Sequence, residues 1–192
     1  MARPRDTEKT LKILNAAQAL LRDHGYMAVS MEAVAERAGV GKQTVYRWWP
    51  TKADLFLELY EHLVPSAALN INTGSVRGDL IELLSTLFDI YRRTHIGRAL
   101  AGLAAELPRN EQFAGRMRES FLIKRRDILS QLLMRGIERG EIQPDIPISL
   151  VTDTITGAIW FRVLMEHEPL DDHFAKSLAD QIFKGAQLVG PN

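Results

Sequence analysis

The sequence contains no cysteine, which excludes disulfide bonds and thiolate metal sites. This absence fits a protein of the reducing cytoplasm. Residues 1–6 are charged and no apolar run follows them, so we expect a basic arm and no signal peptide. The most apolar stretch, residues 148–165, contains Asp153 and Arg162, and we therefore expect no membrane-spanning segment.

The chain also lacks a net charge, because its 24 Lys and Arg residues balance its 24 Asp and Glu residues. This balance argues against a protein that coats nucleic acid without selectivity. The charge is unevenly placed, however. Residues 1–52 contain nine basic and five acidic residues and carry a formal charge of +4, which leaves −4 for the remainder. A basic head on an acidic body is typical of a protein that docks one end on phosphate.

No stretch alternates apolar and polar residues with the period of a strand, and no internal repeat is present. Apolar residues instead recur at helical spacing along the whole chain, and 46% of the 192 residues are apolar, enough for a folded core. We predict an all-α fold. Residues 1–52 should form a three-helix domain, and residues 53–192 a separate helical bundle.

The N-terminal part carries the pattern of two short helices joined by a tight turn. Ser30 is suited to cap the first of these helices, and Gly39 stands where a chain leaving a helix takes a positive φ. The second helix is expected over residues 42–48, with Val45 turned inward. Two such helices form the motif that lays its second helix in the DNA major groove. The first helix repeats its apolar residues at helical spacing: Met31, Val34, Ala35 and Ala38.

Three further local signals organise the rest of the chain. Thr51 and Asp54 read as a capping box at the start of a fourth helix, which should connect the head to the body. The polar residues 70–74 indicate a linker. A long helix is expected from Asn110 to Gly140.

The last two helices, at about 147–166 and 171–188, carry more apolar surface than one chain can cover. The first of them has two apolar sides, whereas a surface helix needs only one. We therefore predict a homodimer in which these helices form a four-helix bundle with their symmetry mates. The residues expected in this interface are Ile155, Ile159, Phe174, Leu178 and Ile182.

The head closely resembles the N-terminal signature of the tetracycline-repressor (TetR) family. The matching positions are Gly25, Tyr26, Ser30, Met31, Ala35, Ala38, Gly39, Val40, Thr44, Val45, Tyr46, Trp49, Pro50, Lys52 and Leu55. The resemblance implies a homodimeric transcriptional regulator, most often a repressor, that binds a near-palindromic double-stranded DNA operator. It implies that residues 1–52 are a helix-turn-helix DNA-binding domain and that residues 53–192 are an effector-binding and dimerisation domain. A small-molecule effector that enters the C-terminal domain is expected to change the spacing of the two heads.

The resemblance assigns DNA contacts to individual residues. Tyr46 and Lys52 match positions that usually contact phosphate, and Thr44 matches one that often does. Their hydroxyl and ammonium groups donate hydrogen bonds without demanding one base. The full set expected at phosphate is Ser30, Thr44, Tyr46, Trp48 and Lys52, with Trp48 leaning on the sugar–phosphate backbone and Trp49 closing the core of the head.

Lys42, Gln43 and Arg47 match recognition-helix positions that vary among family members and often read bases. Arg47 or Lys42 is suited to guanine, and Gln43 to a bidentate contact with adenine.

For the effector we expect an apolar or amphipathic small molecule. The bulky apolar residues of the middle helices are the candidates for its pocket: Phe88, Tyr91, Leu103, Met117, Phe121, Trp160 and Phe161. We expect no cofactor, no metal and no catalytic residues. The acidic and histidine residues between 166 and 173 are interpreted as a solvated turn in which Asp171 caps the last helix. An alternative stays open, namely a helical protein that binds a small molecule or a partner and no longer reads DNA.

Overall fold

The computed structural model describes residues 7–187, and within this range it contains helices and turns but no strand. The all-α prediction is confirmed. The predicted basic arm, residues 1–6, lies outside the described residues. The helices are α1 (Thr7–Ala28), α2 (Met31–Ala38), α3 (Lys42–Trp48), α4 (Lys52–Leu63), α5 (Val76–Thr94), α6 (Gly97–Glu106), α7 (Glu111–Met117), α8 (Lys124–Glu138), α9 (Ile148–Met165) and α10 (Asp172–Gln187), with a 3₁₀ turn at Ser66–Leu69 and a π-helical turn at Arg118–Ile123.

The chain divides into two compact units. The first comprises the residues up to Leu63 together with Arg93–Met117, and the second comprises Val64–Arg92 together with the residues from Arg118 on. This division does not coincide with a boundary at residue 52, because α4 packs on α1 and α6 inside the first unit. Its Leu55, Phe56 and Tyr60 are all buried.

In the first unit, local signals place the helices of the head. Gly25 interrupts α1 with φ 75° and ψ 163°, and a final turn follows to Ala28. The backbone N–H of Ala33 donates to Ser30 Oγ at 3.1 Å, which confirms Ser30 as the cap of α2. Gly39 takes φ 66°, a left-handed conformation that costs glycine little, and thereby turns the chain toward α3.

The predicted capping box at α4 is confirmed in both directions. The backbone N–H of Thr51 donates to Asp54 Oδ2 at 3.1 Å, and the N–H of Asp54 donates to Thr51 Oγ1 at 3.2 Å. Two donors that the start of the helix would otherwise leave unsatisfied therefore have partners. Arg116 of α7 forms an ion pair with the same Asp54.

In the second unit, residues 70–74 are the non-helical connection between the 3₁₀ turn and α5, as predicted, and hydrogen bonds fix this connection in place. Both the backbone N–H and the hydroxyl of Thr73 donate to Oδ1 of Asp79, the latter at 2.8 Å, and Asp79 is completely buried. Arg139 donates to Asn72 Oδ1 at 2.6 Å and reaches Asp79 Oδ2 at 3.3 Å. The polar residues that suggested a linker are thus the hydrogen-bonding partners of a buried carboxylate and its arginine.

The predicted helix from Asn110 is one run of three parts. Asn110 Oδ1 accepts from the N–H of Phe113 at 3.0 Å, which confirms it as a cap. The run then passes through α7, the π-helical turn Arg118–Ile123 and α8. The π turn inserts an additional residue into the helical register, which residue spacing alone does not reveal.

The two apolar sides of α9 have different environments in the chain. Ile155, Ile159 and Val163 are buried. On the other side four large residues are exposed: Leu150 (61%), Phe161 (56%), Leu164 (48%) and Met165 (62%).

By length and composition α9 is also apolar enough to cross a membrane, and it is the one described helix that meets this test. Two polar residues of α9 are tied to neighbours, since Asp153 pairs with Arg126 and Arg162 pairs with Glu168.

Candidate nucleic-acid interface

Helix α3 is held in the head by buried apolar side chains and presents its long polar side chains to solvent. Val45 is fully buried and Trp49, directly after the helix, is 1% exposed. Trp49 Nε1 donates to Glu58 Oε2 of α4 at 2.9 Å, which confirms that Trp49 closes the core of the head. The three residues predicted to read bases, Lys42, Gln43 and Arg47, are all exposed.

Tyr46 lies on the same outer surface, at 42% exposure, and its hydroxyl donates to Glu32 Oε1 of α2 at 2.9 Å. This bond is the largest cause that raises the pKa of the Tyr46 hydroxyl. The pKa of Glu32 is lowered by a bond from its own backbone N–H, by the Tyr46 hydroxyl and by the charge of Lys42. Glu32 was not among the predicted site residues, because residues fourteen positions apart on different helices give no local signal of their contact.

The remaining polar groups near α3 are partly enclosed. The guanidinium of Arg47 lies 5.0 Å from the centre of the Trp48 ring, and Trp48 is half-buried. Thr44 is half-buried as well. Ser30 is exposed, but its hydroxyl oxygen already accepts the capping bond from Ala33. A hydroxyl that accepts one bond keeps its proton for donation, so the cap leaves Ser30 a donor toward phosphate.

Lys52 is half-buried, and its ammonium has partners in the head. Its ammonium donates to the backbone oxygens of Tyr26 at 2.9 Å and Met27 at 3.4 Å and lies 4.4 Å from the centre of the Tyr26 ring. Burial lowers the pKa of Lys52, an effect that the charge of Glu106 opposes. Because an ammonium has three donors, two carbonyl contacts leave it a donor toward solvent.

The residues predicted for an effector pocket do not share one environment. In the second unit Phe88, Tyr91 and Phe121 are buried, and Phe121 meets Trp160 edge to face with ring centres 5.9 Å apart. Phe161 is exposed, and the centre of its ring lies 4.8 Å from that of the His167 ring. The other two candidates, Leu103 and Met117, are buried in the first unit.

A groove of about 380 Å³ lies at a place that the sequence did not suggest, between α1 and α4 in the first unit. Its wall is partly apolar and partly acidic. The residues that line it are Thr7, Thr10, Leu11, Leu14, Glu58, Glu61 and His62.

The residues predicted for the dimer interface lie mostly inside the single chain. Ile155, Ile159 and Leu178 are buried. Phe174 is half-buried, stacks on Phe88 at 5.7 Å and carries the guanidinium of Arg162 over its ring at 3.6 Å. Ile182 is half-buried as well. The exposed apolar side of α9 is therefore the side with Leu150 and Phe161.

The turn between α9 and α10 is held by its own side chains. The N–H of Phe174 donates to Asp171 Oδ1 at 2.8 Å, which confirms Asp171 as the cap of α10. Arg162 donates to the backbone oxygen of Pro169 at 2.6 Å and pairs with Glu168. Within residues 7–187, no group of three or more His, Asp or Glu side chains is arranged to hold a metal ion.

Two family profiles together match most of the chain. Residues 13–59 match the bacterial regulatory proteins of the tetR family, and residues 71–182 match the tetracyclin repressor-like C-terminal domain. The first match covers α2 and α3, and the second covers α5 to α9 and most of α10.

Whole-chain relatives agree with this assignment. The HTH-type transcriptional regulator YdeS of Bacillus subtilis is 33% identical over 189 residues, which cover 97% of this chain and 94% of YdeS. The DNA-binding transcriptional repressor TetR of Mycobacteroides abscessus is 29% identical over 185 residues, 92% of each chain.

A solved structure supports the fold. The crystal structure of the TetR family transcription regulator SCO0332 superposes with a TM-score of 0.75 at 32% identity and covers 93% of this chain and 98% of its own. The profiles, the relatives and the exposed recognition helix agree, and the chain belongs to the TetR family of helix-turn-helix, DNA-binding transcriptional regulators.

Proposed function

We propose that this regulator is a cytoplasmic homodimer that represses transcription by binding a near-palindromic operator and is released from it by a small apolar or amphipathic effector. The observation that carries the DNA-binding part is the arrangement of α3. Val45 of the helix and Trp49 directly after it are buried and hold the helix on the head, while Lys42, Gln43 and Arg47 are exposed to solvent. One of the relatives is a transcriptional repressor, which supports repression rather than activation.

The proposed division of labour follows the chemistry of the side chains. Lys42 and Arg47 are cations suited to guanine, and the amide of Gln43 is suited to adenine. Tyr46, Thr44, Ser30, Trp48 and Lys52 are the proposed contacts to the backbone, which position the head without reading sequence. The sequence singles out no set of catalytic groups, and we propose no enzymatic activity.

The proposed dimer forms through the exposed side of α9. Four large apolar residues, Leu150, Phe161, Leu164 and Met165, are between 48% and 62% exposed along one helix. Burying such side chains contributes roughly 1.5–3 kcal/mol each when burial is complete. Gly157 lies between them in sequence, and no atom comes within 4 Å of the place where its Cβ would be, so a partner helix has room to approach.

The proposed effector site belongs to the second unit. Phe121 and Trp160 bring an aromatic pair together there, and Phe88 and Tyr91 are buried on α5. An environment of this kind favours an apolar body with few polar groups. Phe161 is assigned to the dimer surface instead, because it is exposed and contacts His167.

The test begins with selection of DNA fragments that the purified protein retains, followed by titration of the recovered fragment and of a scrambled fragment of equal length. We expect tight binding to the recovered sequence, a twofold-symmetric footprint, and a loss of affinity with salt of roughly 0.9 log units per log unit for each phosphate contacted. Gln43→Ala should relax the preference at one base pair in each half-site, by about 1–3 kcal/mol of discrimination. Equal affinity for the two fragments would refute the proposal.

A further inference from the structure

A phenol hydroxyl has one proton and donates one hydrogen bond at a time. In the free protein the hydroxyl of Tyr46 donates to Glu32 Oε1, at 2.9 Å. Both residues are exposed on the outer surface of the head, on α3 and α2 respectively. Tyr46 therefore cannot donate to a DNA phosphate until it leaves the carboxylate of Glu32.

Glu32 is also a negative charge in a region that must approach a polyanion. It lies in the first turn of α2, where the helix dipole favours an anion, and the lowered pKa of its carboxyl group keeps it ionised at neutral pH. The charge of Lys42, one of the proposed base-reading residues, acts on the same carboxylate. Glu32 is thus in electrostatic contact with one proposed phosphate ligand and one proposed base reader.

We propose that Glu32 is a positioning residue of the DNA-contact surface: its carboxylate holds the Tyr46 hydroxyl in the free protein and competes with DNA phosphate for it. This proposal rests on the proposed function, because it requires Tyr46 to face the backbone. The competition lowers the affinity of each head for DNA of every sequence. Because binding to unrelated DNA is then weak, the base contacts determine the sequence at which the protein remains bound.

The experiment measures the affinity of Glu32→Ala and Glu32→Gln dimers for the selected operator and for a scrambled duplex of the same length by fluorescence anisotropy. Glu32→Ala should tighten binding to both duplexes, by roughly two- to fivefold per head at about 0.1 M salt, the size expected for one exposed charge interaction. Glu32→Gln removes the charge but keeps an oxygen acceptor, so its gain should be smaller. Both gains should shrink as salt screens the interaction.

A double-mutant cycle with Tyr46→Phe separates competition from net charge. If Glu32 acts through the tyrosine hydroxyl, the gain from Glu32→Ala should fall in the Tyr46→Phe background, because no hydroxyl remains to be released. Glu36→Ala is the matched control, since Glu36 is an exposed carboxylate one turn further along α2. It changes the net charge equally and should give little gain.

Several results would overturn the proposal. These are unchanged or weaker binding by Glu32→Ala, an equal gain from Glu36→Ala, or an equal gain with and without the Tyr46 hydroxyl. A loss confined to the operator would overturn it too and would instead make Glu32 a base contact. Thermal melting of each variant checks that the fold is retained. The wild-type comparison of operator with scrambled DNA tests the proposed function separately, because competition at Tyr46 is measured on either duplex.

Discussion

Gly102 of α6 packs against the ring of Tyr26 so closely that a single added methyl group has no space. A Cβ at residue 102 would lie 2.0 Å from Tyr26 Cδ1 and 2.3 Å from Cε1. The ring is confined, because it is 5% exposed, meets Phe56 edge to face at 5.0 Å, and has the Lys52 ammonium over its face. Gly102→Ala should therefore force a rearrangement of this contact.

The size of the effect follows from two opposing terms. Overpacking of a well-packed core costs about 1–3 kcal/mol, and an overlap this severe with a confined ring belongs at the upper end. Replacing glycine by alanine inside a helix contributes about 1 kcal/mol in the opposite direction. The net loss should be about 2 kcal/mol, which corresponds to a fall of about 4–8 °C in Tm for a chain of this length.

The assay is urea denaturation of the wild type and of Gly102→Ala, with Gly115→Ala as the matched control. Gly115 also lies inside a helix of the first unit, but nothing comes within 4 Å of its added Cβ. Gly115→Ala should leave stability unchanged or raise it. In a Tyr26→Leu background the loss caused by Gly102→Ala should shrink, because the ring is absent. If Gly102→Ala were as stable as Gly115→Ala, the steric reasoning would be refuted.

Three other predictions concern the charge network, the dimer and the phosphate contact. Burial by itself would raise the pKa of Asp79, but the bonds from Thr73 and Arg139 together outweigh burial and lower it. The stabilisation by Asp79 should therefore be complete above the pKa that Asp79 has in the unfolded chain, and it should be lost as pH falls through the lower pKa of the folded protein. Asp79→Asn should cost about 3 kcal/mol of unfolding free energy at pH 7. The variant should also lose less stability than the wild type between neutral and acid pH. Leu150→Glu should shift the protein to monomers in sedimentation experiments, whereas Leu122→Glu on the π turn should not. Lys52→Met should weaken binding to operator and scrambled DNA alike and reduce the salt slope by about one unit per head; an unchanged slope would remove Lys52 from the phosphate contacts.

Local sequence signals correctly predicted where several helices begin. Ser30, Asn110 and Asp171 all accept a bond from the backbone N–H three residues later, and Thr51 and Asp54 satisfy one another. Each of these bonds joins residues three apart, so the determining groups are visible in a window of a few residues.

Contacts between distant residues were the part that sequence reasoning could not resolve. Both sides of α9 are apolar, and only the packing of the folded chain shows that Ile155 is inside and Phe161 outside. The hydrogen bonds of the connection at residues 70–74 were hidden for the same reason, because Thr73 and Asn72 look like ordinary loop residues until Asp79 and Arg139 are placed beside them. The Tyr46–Glu32 bond likewise depends on how α3 crosses α2.

The placement of the tryptophans gives the protein an intrinsic optical signal. Two of its three tryptophans, Trp48 and Trp49, stand side by side at the end of α3, and the third, Trp160, is in the other unit. Trp49 is enclosed with its indole N–H on Glu58, whereas half-buried Trp48 lies under the Arg47 guanidinium. A duplex that draws Arg47 away would alter the emission of Trp48 and leave that of Trp49 nearly constant, so operator occupancy becomes measurable in unlabelled protein, with a Trp48→Phe variant as the blank.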